Sequence, residues 1–248
     1  KPAKKMDGWQ GATQTFSYAR EVQPIFDKHC VKCHDFGKKA GEKLILAGDK
    51  NPFFNASYID IQVKKIITCV GGGPAEIQQA LSWGAHQSKL IKTIENGHHN
   101  ATISKEEMET LYTWIDLNGV YYPEYECAFP ENPAGRSPIT HDELKELSEI
   151  TGIDFMKLKD TNRKLGPQIC FDRPEKSPCL NGLSKANGYN KAIAIIQKGQ
   201  DRLKETPRCD MPGFIPSQIH QKMLEKYEMR AKEAEESRLE ILHSMGKE

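Results

Sequence analysis

Residues 30–34 read Cys30-Val31-Lys32-Cys33-His34, and the reading of this stretch decides the reading of the first half of the chain. Cys-x-x-Cys-His is the attachment sequence for a c-type haem. The two thiols add across the porphyrin vinyl groups, and the adjacent histidine lies under the iron as the proximal ligand. On a helical turn, residues three apart share a face, so both sulfurs reach one porphyrin edge with the imidazole between them. Zinc is the competing reading of Cys-x-x-Cys, but it wants a second ligand pair at ribbon or finger spacing, and no second Cys-x-x-Cys exists here. A redox dithiol wants a βαβ setting, and none is legible around the motif. The stretch therefore predicts one covalent haem c on Cys30 and Cys33, with His34 on the iron.

The bulk composition bounds the rest. A chain of 248 residues holds one or two domains and can bury a real core. Apolar residues make up 38% and charged residues 28%, and no apolar run approaches the roughly 18 residues a membrane span needs. The net charge of +1 is spread along the chain, which leaves no electrostatic footprint for nucleic acid. The chain begins at Lys1 without methionine and reads as a processed or excised piece. Covalent haem and a surplus of scattered cysteines (Cys69, Cys127, Cys170, Cys179 and Cys209) both fit a periplasmic or otherwise extracytoplasmic place. Cys170 and Cys179 bracket a short Pro-containing loop and invite a local disulfide.

Residues 1–15 are polar and read as a linker. Thr15 or Ser17 is placed to cap a helix running from Tyr18 to Cys30, with Val22, Ile25 and Phe26 inward and a kink or restart at Pro24. Glycines break up 35–57, where Leu44-Ile45-Leu46 reads as one short strand. A helix is expected between Asn55 and Val70, stopped by Gly71-Gly72-Gly73-Pro74, and another over Ser88–Asn96, ended by Gly97. Ser104 with Glu107 makes a capping box. It opens a helix with Met108, Leu111, Tyr112 and Ile115 on one face, and Trp114 close to it.

A helix delivering Cys-x-x-Cys-His, a loop after a short helix, then a last helix with Trp114-Ile115 resembles the small class I c-type cytochrome fold. The expected fold class is mainly α: such a cytochrome domain over 16–130, then a helical extension over 131–248. The resemblance places the sixth iron ligand in the loop before the last helix. Many such domains carry Gly-x-Met-Pro there; this chain has Gly97-His98-His99-Asn100. The distal candidates are thus His98 first, then His99, then His86. Met108 lies within the helix, where a core role is the default.

The extension has a second capping box, Thr140 with Glu143, opening a helix through Leu144, Leu147 and Ile150. A Pro-rich loop covers 166–183, and a helix follows over Tyr189–Leu203. Ser217 caps a long charged helix to about Met245 with a narrow apolar stripe: Ile219, Met223, Tyr227, Ala231, Ala234, Ile241 and Met245. Such a helix docks on a partner through 217–245 or lies solvated against its own domain.

Taken together, the stretches Arg20 to His34, Trp83-Gly84-Ala85-His86, Gly97-His98-His99, Leu111 to Asn118, Pro133-Ala134-Gly135-Arg136, Phe171-Asp172-Arg173-Pro174 and Asp210-Met211-Pro212-Gly213-Phe214 resemble the C-terminal haem domain of hydrazine synthase alpha subunit and related multidomain proteins. The resemblance implies a bis-histidine haem whose distal ligand comes from the Gly-His-His stretch, and redox partners that are other proteins or other domains of a parent chain. It does not carry hydrazine synthesis across, because this chain has one haem motif. The functional expectation is extracytoplasmic electron transfer without bond chemistry of its own. The alternative is a haem enzyme or gas-binding domain with an open or displaceable distal site.

Overall fold

The structure, a computed structural model, describes residues 15–70, 79–99 and 101–245. The expected linker (Thr15 apart), the Gly71–Pro74 break and Asn100 lie outside them. The described chain is mainly helical and forms no β-strand. Tyr18–Val22 is a wide turn of π-helix that runs into α1 (Gln23–His29), with Pro24 in the first turn of α1. The restart follows from chemistry: proline has no N–H to give, and only the first turn of a helix tolerates that. Helices α2 (Ala56–Val63), α3 (Lys89–Glu95) and α4 (Lys105–Asp116) complete the first half. The second half holds α5 (His141–Thr151), α6 (Leu158–Leu165), α7 (Tyr189–Glu205) and α8 (Gln218–Met245).

Caps set several boundaries. Asn55 accepts the Tyr58 N–H at the start of α2. Both capping boxes form with both reciprocal bonds, at Ser104/Glu107 and Thr140/Glu143. α2 is shorter than its sequence pattern, because Lys65 takes a left-handed φ of 50° just beyond it. The strand expected at Leu44–Leu46 does not form. Its backbone groups are taken by other partners: Leu44 O by the His34 ring, Ile45 N by Asp60, Leu46 N by His34 O and Leu46 O by Gln23. An isolated bridge between Lys50 and Asn55 is all the strand-like pairing nearby. The Cys170–Cys179 disulfide does not form either: both are buried free thiols.

Two apolar cores result. The first packs Tyr18, Val22 and Phe26 against Ile61, Leu111 and Trp114. Trp114 is fully buried, and its indole N–H donates to Val120 O at 2.9 Å. The second joins Leu144 and Leu147 of α5 to Phe155, Phe171 and Ile196. A smaller cluster spans the two halves, with Phe36, Ile45, Ala47 and Ala56 around Cys170. Polar ties run alongside it. Arg208 is 1% exposed and donates to the carbonyls of Asn51 and Pro52 and to Asp210. Asp210 in turn accepts the Tyr121 hydroxyl at 2.8 Å. Asn51 donates to Ile169 O, and Phe171 N–H to Lys50 O. α8 differs from everything before it: its root is held at 124–126, and almost all of it beyond Gln221 is exposed.

Candidate functional site

α1 ends where the Cys30–His34 motif begins. The Cys30 and Val31 N–H groups both bond to Phe26 O, and the Cys33 and His34 N–H groups both return to Cys30 O, at 3.0 and 2.9 Å. The motif is thus a closed turn on the end of a buried helix. Cys30 faces the first core, half-buried, and Cys33 is exposed at the rim. Burial, aided by Cys33, pushes the Cys30 thiol up to about 11. A redox dithiol needs the opposite, a thiol depressed toward neutrality, so this environment disfavours that reading of the motif.

His34 Nδ1 lies 2.8 Å from Leu44 O. A carbonyl only accepts, so this bond keeps the proton on Nδ1 and leaves the Nε2 lone pair as the one a metal could use. Histidines that bind metals are commonly oriented in this way. The His34 backbone carbonyl holds Leu46 N–H at 2.9 Å, so the loop is clamped to the histidine from both the ring and the main chain.

His98 comes from the turn after α3. Gly97 at φ 81° and His99 at φ 47° flank it in left-handed conformations, and the glycine position is one that only Gly adopts without strain. The turn brings the His98 ring to 6.0 Å from the His34 ring, centre to centre, with an interplanar angle of 41°. Two imidazoles bound to opposite faces of one metal ion stand about 6 Å apart, given metal–nitrogen bonds of about 2 Å. Burial first, then the neighbouring His99 and His34, lowers the His98 pKa. The same factors favour the neutral ring that a metal requires. His99 is exposed and packs edge-on against His98 at 4.5 Å. His86 is exposed on the turn Ala85–Gln87 and has no ring contact with His34 or His98 among the described residues. Beside the thiols of Cys30 and Cys33, the His34 and His98 rings stand at a spacing that would suit two imidazoles on one iron, so these four residues could hold a covalent haem.

The sequence reading missed Arg173. Its guanidinium donates to both oxygens of Asp35 (2.9 and 2.7 Å) and both of Asp49 (2.8 and 2.5 Å). Asp35 directly follows His34, and the Arg173 hydrogen bonds hold its carboxyl below the usual range. No local signal marks this link, because 138 positions separate the partners. His29 sits 2.9 Å from Glu107, which Lys28 also reaches at 2.8 Å. Glu107 therefore caps α4 and ties α4 to α1.

The chain matches no protein-family model, no curated protein and no solved structure significantly. None of the helices among the described residues is long and apolar enough to cross a membrane.

Proposed function

We propose that the chain is an electron-transfer domain carrying one haem c, tethered through Cys30 and Cys33 and ligated by His34 and His98. The observation that carries this reading is the 6.0 Å approach of the His34 and His98 rings beside a Cys-x-x-Cys-His turn. Bound haem supplies one-electron exchange between ferric and ferrous iron. The residues do the rest. Cys30 and Cys33 prevent loss of the group. Leu44 O orients His34 and makes its ring a stronger donor. His98 would take the remaining iron position and so leave no site for substrate. Two imidazoles favour Fe(III), so the potential falls below that of a histidine–methionine counterpart. On this reading the chain belongs to a larger extracytoplasmic redox protein of the hydrazine synthase alpha type and passes electrons to neighbouring domains or proteins.

The test is an absorption spectrum of the chain matured with a haem-attachment system, oxidised and reduced, with and without carbon monoxide. A low-spin spectrum unmoved by carbon monoxide is expected. A carbon monoxide shift in the unsubstituted protein favours the displaceable-site enzyme or gas sensor instead. His98→Ala should keep the haem attached while opening the iron to carbon monoxide. An unchanged spectrum in that variant removes His98 from the ligand set.

A further inference from the structure

The irregular segment after the first core carries Glu124-Tyr125-Glu126. Tyr125 stands 92% exposed between two half-buried glutamates. Side chains two apart in extended chain share a side, so both carboxylates turn towards the protein together. His220, in the first turn of α8, meets them there with a side chain only 11% exposed.

The three groups leave a deficit of positive charge. His220 Nε2 lies 2.6 Å from Glu124 Oε2. The other ring nitrogen, Nδ1, stands 3.9 Å from Glu126 Oε2, beyond hydrogen-bond reach. Glu126 Oε1 accepts the Ser217 N–H at 2.7 Å, which fixes the direction of the carboxylate. Its second oxygen, Oε2, is buried on the side of His220 and has no hydrogen-bond partner among the described residues. A buried anionic oxygen without a partner is costly. A cation shared by the two carboxylates and the imidazole removes that cost. One ligand atom from each of Glu124, Glu126 and His220 lies within 4.8 Å of the other two. Zinc bonds of about 2.0–2.2 Å to nitrogen and oxygen set ligand atoms about 3–4 Å apart around one ion, so small side-chain rotations close the set.

The donors choose the ion. Calcium and magnesium take oxygen ligands, whereas an imidazole beside two carboxylates suits a first-row divalent ion such as zinc. We propose that Glu124, Glu126 and His220 bind one zinc-class divalent ion, which staples the root of α8 to the 124–126 segment. The partners lie 96 positions apart, so the ion closes a long stretch of chain. The backbone on both sides is already steadied. The Ser217 hydroxyl accepts the His220 N–H at 3.3 Å, and the Cys209 thiol meets the carbonyls of Glu124 and Glu126 at 3.4 and 3.8 Å. The proposal does not rest on the haem reading.

Zinc chloride titrated into the chelator-stripped full chain tests it, with hydrogen exchange as the local readout. One zinc per chain should slow exchange of the amides at 124–126 and 218–221, and magnesium should not. Glu126→Gln and His220→Gln, both outside the two cores, should each weaken zinc binding more than about tenfold. Zinc binding unchanged in both variants overturns the proposal. So does zinc protection confined to 30–34 and 98–99, or the lack of any protection at 124–126 and 218–221; the cluster is then a histidine–glutamate ion pair only. The exchange map of the unsubstituted chain decides even where a variant fails to fold.

Discussion

The second half of this chain treats its neighbours in two ways. Towards the first half it is intrusive. Arg208 is buried beneath the 51–52 backbone, and Arg173 clamps Asp35 and Asp49 beside His34. Towards its own last helix it is reticent. α8 is held by a histidine–glutamate pair and an N-terminal hydrogen bond at its root, then runs into solvent. The contrast teaches that the 131–217 segment braces the site and that α8 alone behaves as an appendage. Arg173 and Arg208 tie residues on the two sides of position 130 together.

The largest expected effect comes from Arg208→Ala. It strands Asp210 and two carbonyls in a dry interior, and losing one partner of such a buried pair costs about 3–5 kcal/mol. Denaturant unfolding should then show both halves loosening together. Unfolding of the second half alone would break the picture of a brace. Arg173→Ala should cost less, about 1–2 kcal/mol, because its side chain is 35% exposed and water screens its ion pairs. Its signature is local: the Asp35 carboxyl should titrate at higher pH, read by NMR of the carboxylate carbons.

Acid should sharpen the same comparison. Glu107 is desolvated, which opposes ionisation, yet hydrogen bonds from Lys28, the Ser104 amide and His29 bring its carboxyl down to about 2. A folded pKa below the unfolded one means the carboxylate stabilises the fold above the unfolded value. That contribution is lost as pH falls from about 4.5 towards 2. Glu107→Gln should flatten the decline in stability over this window, measured by thermal melts across pH. The smallest effect belongs to truncation after Gln221, which keeps the His220–Glu124 root. Loss of the α8 shaft should change unfolding stability by no more than about 0.5 kcal/mol. A larger loss would show that α8 rests on the cores after all.

Much of the local structure was legible because its causes are local. The two capping boxes, the restart at Pro24 and the α8 span depend on residues within a turn or two of one another. α6 was not legible: its apolar positions are few, and Leu158 is buried only by the second core. The Leu44–Leu46 strand failed for the converse reason, since residues far along the chain took its backbone groups. Of the site, the Cys30–His34 motif and the three candidate histidines could be named from order alone. Which candidate approaches His34 depends on how the turn at 97–99 packs, and sequence spacing does not encode that distance.

The sequence by itself determined the helical class, the helix caps, the Cys-x-x-Cys-His stretch and the long last helix, because each is set by spacing and intrinsic backbone preference over a few residues. The tertiary structure decided the approach of the His98 ring to His34, the Arg173 and Arg208 braces, and the exposure of α8. Those depend on contacts between residues tens to more than a hundred positions apart, whose geometry exists only once both cores have formed.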